Sequence, residues 1–185
     1  MTMNTPPDAF VEALLSIRQL ALPDTLEIAE VPAPPHLAPF SAALKLVTKF
    51  EIAEHPAAHS TFVILHDPTQ VDVWGGPFRL VGHVRTQIDH EMGSDPLLVE
   101  VTWNDFLTCL DEVGAHYLAP MGTVTRELSE AFGGLELRSS ALNLEFRCSW
   151  TPMSDVGQHL LAWASFVLLS AGIDEHPMGL EVHGA

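Results

Sequence analysis

The sequence predicts an α+β fold: a mainly antiparallel sheet of about five strands with helices on one face, in the order α-β-β-β-α-β-β-α. Three observations carry this prediction. Apolar residues recur at helical spacing in three separate stretches. Between them lie stretches in which apolar and polar residues alternate with a period of two, the pattern of half-buried strands. Apart from the middle helix, the connections are too short for parallel crossovers, so neighbouring strands run antiparallel. The 185 residues read as one α+β domain, 1–185, with irregular N- and C-terminal tails. A chain of this length buries about 70% of its unfolded surface and needs neither a metal nor a disulfide to fold.

Thr5-Pro6-Pro7-Asp8 has the composition of a helix start, a capping Thr followed by Pro and a carboxylate. Phe10, Leu14, Ile17 and Ala21 form a stripe that Pro23 stops. A short strand is expected over 25–31, and the prolines from Pro32 to Pro39 make an extended connector. Leu44, Leu46, Phe50 and Ile52 alternate with Lys45, Lys49 and Glu51. Phe62 to Leu65 is apolar on both sides and reads as a central strand. Phe78, Leu80, Val84 and Ile88 alternate with Arg79, His83, Arg85 and Gln87. Asp89 to Pro96 reads as an acidic loop. Thr102 is then expected to cap a middle helix carrying Trp103, Phe106, Leu107, Leu110 and Val113, which Gly114 ends. Residues 116–128 contain Pro120 and Gly122, which suits an edge strand or a bulge. After a turn at Gly133-Gly134, Leu142, Leu144, Phe146, Cys148 and Trp150 alternate with Asn143, Glu145, Arg147 and Ser149. Ser154 or Asp155 caps a final helix reaching about Gly172.

Eight Lys and Arg against 24 Asp and Glu give a net charge of −16. Such an excess repels phosphate backbones and anionic headgroups, so neither a nucleic acid nor a membrane is expected as a partner. The longest nearly uncharged apolar run, Leu160 to Ile173, falls short of the ~20 residues a bilayer span requires. The N-terminal residues lack the basic and apolar regions of a secretory signal, and two cysteines, Cys109 and Cys148, form neither a disulfide framework nor a zinc pattern. A cytoplasmic location is expected. No GxSxG, GxGxxG, HExxH or CxxC motif occurs. His55 and His59 have the i, i+4 spacing of a metal pair, but Pro56 places them in a loop. Asp89, Glu91 and Asp95 resemble a cation loop in composition, with Ser94 where an EF-hand needs glycine. No metal, no cofactor and no catalytic residue is assigned.

Seven of the eight cations fall in the strand-rich part: Lys45, Lys49, Arg79, Arg85, Arg126, Arg138 and Arg147. With helices on one side of the sheet, Lys45, Lys49, Arg79, Arg85 and Arg147 emerge on the other. They serve either cross-strand pairing with Glu51 and Glu145 or recognition of an acidic or extended partner. These five are the candidate binding residues of a protein-binding module. The alternative is a small enzyme or small-molecule-binding protein using the loops around His66, Trp74 and Asp89. Between Asp155 and Gly172 the final helix is apolar all round. Leu160, Trp163 and Val167 suffice to cover a sheet, which leaves Leu161, Phe166, Leu168 and Leu169 to face a second copy in a homodimer, or the first helix in a monomer.

A set of short stretches runs in order along the chain: Leu37-Ala-Pro-Phe40, Leu65-His-Asp-Pro68, Trp74 to Val81, Val84-Arg85, Asp89 to Met92, Asp95-Pro-Leu-Leu98 and Val101-Thr-Trp103. It continues with Gly122-Thr-Val-Thr125, Phe132-Gly133, Arg147-Cys-Ser-Trp-Thr-Pro152 and Ala162-Trp163. In these the chain resembles an actinobacterial family catalogued as domain of unknown function 3000. It departs from that pattern in Phe166-Val-Leu-Leu169 and around Arg138-Ser-Ser140. The resemblance implies an actinobacterial cytoplasmic protein and assigns no activity. The element order is similar to that of small acidic secretion-chaperone-like domains, which pair as dimers and bind extended segments of other proteins; this likeness implies the protein-binding role.

Overall fold

The computed structural model describes residues 5–52, 54–133 and 136–173; the second glycine of the expected turn and the C-terminal tail lie outside them. Its elements are α1 (Asp8–Arg18), β1 (Leu26–Val31), β2 (Phe40–Thr48), the two-residue strands β3 (Glu51–Ile52) and β4 (His55–Pro56), and β5 (Ala58–His66). They continue with the one-turn α2 (Val71–Trp74), β6 (Phe78–Ile88), the one-turn α3 (His90–Ser94), α4 (Leu98–Glu112), β7 (Tyr117–Gly133), β8 (Glu136–Pro152) and α5 (Val156–Ser170). The fold is α+β. Six strands form one antiparallel sheet in the order β1-β2-β5-β6-β8-β7, and β3 and β4 pair as a small side hairpin.

Paired residues share a face, so the register sorts the side chains. Ile28, Leu46, Ser60, Val84, Phe146 and Val124 make one lateral row, and Glu30, Leu44, Phe62, Gly82, Cys148 and Gly122 make the next. These rows carry most of the core, under α1, α4 and α5. Two glycines in the second row seat two tryptophans. A Cβ on Gly82 would lie 2.5 Å from the Trp163 ring, and one on Gly122 would meet Trp103 at 2.9 Å and the Arg147 carbonyl. Trp163 Nε1 donates to Ser60 Oγ at 2.8 Å, so its one polar group is satisfied inside the core. Phe106, Phe146, Trp150 and Phe166 pack around it with ring centroids 4.8–6.4 Å apart.

Several local expectations need correction. Thr5 does not cap α1, which starts at Asp8 behind Pro7 and ends at Arg18, short of Pro23. β2 begins at Phe40 and stops at Thr48, because the Thr48 hydroxyl takes the Ala58 N–H at 2.9 Å and donates to the Phe50 carbonyl at 3.1 Å. The chain therefore turns, and Phe50 is exposed instead of continuing the strand. The acidic loop winds into α3, whose N–H at Met92 donates to Asp89 Oδ1 at 2.7 Å. Thr102 does not cap α4. It is buried one turn inside, donating to the Leu98 carbonyl at 2.6 Å, while Asp95 takes the Leu97 N–H at 2.8 Å just before the start. Gly114 ends α4 in the left-handed region, φ 67°. β7 is an edge strand with a bulge at Ala119-Pro120, as its composition predicts. Among the described residues no helix is long and apolar enough to cross a membrane.

Candidate functional site

Alternation along the strands sends the other set of side chains away from the helices. One lateral row there reads Ala29, Lys45, Thr61, His83, Arg147 and Thr123, and its neighbour reads Glu27, Val47, His59, Arg85, Glu145 and Thr125. Over Ala43, Val63 and Leu65 the face is covered by the connector residues Ala33 and Ala38 together with Trp74. Arg79 and Thr151 on this face are buried as well, beside the Trp74 carbonyl; beyond them it is open. A shallow hollow of about 520 Å³ lies across β6, β8 and β7, lined by Val81, Met121, Gly122, Thr123, Arg147, Cys148 and Ser149.

The expected cations divide into three kinds. Arg85 and Arg147 stand on the open face in ion pairs: Arg85 Nη2 is 2.8 Å from Glu127 Oε2, and Arg147 Nη2 is 2.7 Å from Glu145 Oε1. His83 Nε2 shares that same Glu145 oxygen at 2.7 Å. Arg147, and after it His83, hold the Glu145 carboxyl below its ordinary range. Lys45 stands on the same face, exposed and without an ion pair among the described residues; Lys49 sits beyond the end of β2. Arg79 differs from the rest. It is 7% exposed, with Nη1 donating to Thr151 Oγ1 at 3.0 Å and Nη2 to the Ser149 carbonyl and hydroxyl at 3.1 and 2.8 Å. Thr151 in turn donates to the Trp74 carbonyl. Arg79 thus ties β6 to β8 and to the α2 turn through neutral partners, and burial pulls its pKa down. Its guanidinium belongs to the scaffold under the open face.

His66, Trp74 and Asp89 are not brought together. His66 is buried on the helix side among Phe10, Phe40 and Phe78, and its Nδ1 has no hydrogen-bond partner. Trp74 lies on the opposite face. Asp89 follows the far end of β6, whose near end pairs with His66, a separation of about 33 Å along an extended strand. His55 sits in β4. His59 and His66 lie on opposite faces of β5, and among the described residues no three His, Cys, Asp or Glu side chains gather as metal ligands. Both cysteines are buried thiols. Burial, and after it Glu112 and Asp105, push the Cys109 pKa to about 12, and burial raises that of Cys148 well above its ordinary value.

Of the four residues expected at an interface between copies, Phe166 and Leu168 are fully buried within this chain, Leu161 is half-buried and Leu169 is exposed. The sheet, α1 and α4 cover most of the circumference of α5 and leave Leu169 open. That helix alone gives no reason to invoke a second copy.

Of the residues around Arg147, the sequence offered Glu145 as a cross-strand partner and singled out for binding none of those that line the hollow beside it. Ser149 and Glu145 share its strand parity and were legible from alternation. Met121 and Thr123 were not, because the bulge at Ala119-Pro120 resets the parity of β7. Residues 6–180 match a family described as Protein of unknown function (DUF3000). No curated protein and no solved structure matches.

Proposed function

We propose that this chain, which belongs to the DUF3000 family, is a non-enzymatic protein-binding module of the cytoplasm that receives an extended segment of another protein on the open face of its sheet. The observation that carries this reading is the sheet itself: six strands, helices packed on one side, and a broad unenclosed hollow on the other. An enzyme site concentrates perturbed ionisable groups in a concave pocket; the hollow here is shallow and its lining is mostly neutral. Chemical complementarity defines the segment. An apolar residue suits Val81 and Met121 in the hollow, and a carboxylate suits Arg147 at its border or Lys45 three strands away in the same row. Neighbouring strands lie about 4.8 Å apart, so the two cations are about 14 Å from each other, a span of four to five extended residues.

Site-resolved photo-crosslinking in the native host tests the reading. A photoreactive residue in place of Thr123 is expected to capture a protein, whereas one in place of Glu12, exposed on α1 at the helix side, is not. Arg147→Ala combined with Met121→Ser should then lower the Thr123 yield and leave the melting temperature unchanged. Equal capture from both positions, or a yield indifferent to the double substitution, would refute it. A small molecule that co-purifies and is lost with the same substitutions would favour ligand binding instead.

A further inference from the structure

The two edges of the sheet are built differently. β1 is six residues long, carries Glu27 and Glu30, and runs into Pro32, which blunts it against further pairing. β7 is 17 residues long, and past its bulge it contains no proline. Among the described residues no strand pairs with its outer side. From Ser129 to Gly133 it also extends with β8 beyond Ile88, the last residue of β6. Leu128 and Phe132 on this strand are 56% and 64% exposed. Past its bulge and Pro120, this long edge with bare apolar side chains is open to pairing with another strand.

We infer that β7 pairs with β7 of a second copy, antiparallel about a two-fold axis through Leu128, joining two six-stranded sheets into one of twelve. The sequence of the strand selects both the occupant and the register. With Leu128 on the axis, it faces its own copy. Arg126 then faces Glu130 of the other chain, twice by symmetry, and Val124 faces Phe132, also twice. On the other face Glu127 meets Ser129 and Thr125 meets Ala131, so no like charges stand opposite each other. Moving the axis by one residue to Glu127 sets Glu127 against itself and Glu130 against Val124; moving it to Arg126 sets Arg126 against itself. The matched register pairs both charges and all three apolar side chains at once. The extra residue of the outer β7–β8 irregularity belongs to β8, which leaves the alternation of β7 intact from Met121 to Gly133. Arg126 already holds the Gly93 and Asp95 carbonyls at 3.0 and 3.1 Å through Nη1, which fixes its side chain on the face where Glu130 of the copy would lie. The pairing uses the strand edge and leaves the open faces free, side by side on one continuous sheet.

Sedimentation of the full chain across micromolar concentrations tests the inference against the monomer mass of 20.2 kDa. The wild type is expected at twice that mass. Glu130→Arg should raise the dissociation constant at least tenfold by setting two arginines against each other. Arg126→Glu added to it should restore pairing, with the far-ultraviolet circular dichroism and melting temperature of both variants reporting that the fold survives. Leu128→Asp, on an exposed side chain, should also split the pair. A monomeric wild type overturns the inference and leaves the edge to a strand of some other origin. A dimer indifferent to Glu130→Arg and Leu128→Asp overturns it as well, and moves the interface elsewhere.

Discussion

His159 should make the fold acid-labile in a way that a single substitution can isolate. It sits in α5, 0% exposed. Its Nδ1 accepts the Trp150 indole N–H at 3.0 Å, and its Nε2 lies 3.3 Å from the Ser154 hydroxyl. An imidazole that accepts at Nδ1 is neutral, with its proton on Nε2. Burial lowers its pKa from 6.5 to about 4, outweighing the opposing pull of Asp155. The unfolded chain takes a proton near pH 6.5 and the folded chain does not until about pH 4. The contribution to stability is therefore complete above 6.5 and is lost as pH falls through that window. At about 1.4 kcal/mol per pH unit the gap amounts to about 3 kcal/mol. Relief of repulsion among the carboxylates of a −16 chain acts in the opposite sense, so the wild type's own pH profile is a mixture. Comparison with His159→Asn separates the two. Asn places an oxygen near the position of Nδ1, keeps an acceptor for Trp150, and does not titrate. Unfolding by urea, measured for both proteins at about pH 7.5 and about pH 4.5, should show the wild type losing about 2–3 kcal/mol more than the variant over that interval. The variant's lower stability at both pH values cancels in this difference. Equal losses would mean that His159 is solvated or charged in the folded chain, and the burial argument would fail.

Two further outcomes follow from the core. Gly82→Ala should destabilise by about 1–3 kcal/mol, since the added methyl meets the Trp163 ring and that ring is anchored to Ser60; denaturant melts would show it, and an unchanged midpoint would contradict the packing of Trp163 on the sheet. Cys109 and Cys148 should resist a thiol reagent at neutral pH until the chain unfolds, and their labelling rate should rise in step with denaturant-induced unfolding; rapid labelling of the native protein would refute the burial that raises both thiols.

The elements legible in the sequence were those whose two faces meet different surroundings. β6 and β8 alternate because helices cover one side and water reaches the other, and their residue types record it. The outer half of β7 was illegible for the converse reason: Ser129, Glu130, Ala131 and Phe132 are exposed whichever way they point, so no period marks them as strand. The start of α4 was missed because Asp95, a residue of the preceding turn, takes the cap-like role, while Thr102 bonds inside the helix. Parity placed Lys45, Arg85 and Arg147 on the open face. It could not reveal that Arg79 on that face lies buried, since its partners Ser149 and Thr151 are some 70 residues away in the chain. Likewise, the all-round apolar character of α5 was readable and α1 was one of the two covers it suggested, but the larger share taken by α4 was not.

The strand order also shapes how the chain reaches this structure. β1, β2, β5 and β6 form a meander, each strand pairing with one near it in sequence, and β7 and β8 form a hairpin of their own. One junction alone is distant: β6 against β8, where Leu80 pairs with Trp150 and Ile88 with Leu142. Closing it spans α3, α4 and the whole hairpin, so its loop entropy must be met before its contacts form. The two blocks can gain structure separately, with α1 setting Phe10 against Phe40 and His66 of one and α4 setting Phe106 against Phe146 and Trp150 of the other, and α5 then joins them, with Trp163 on Gly82 and Phe166 against Phe146. α5 is thus the element that joins the two halves of the core. Until α5 has been synthesised, the part of each half of the sheet that Trp163 and Phe166 cover stays open.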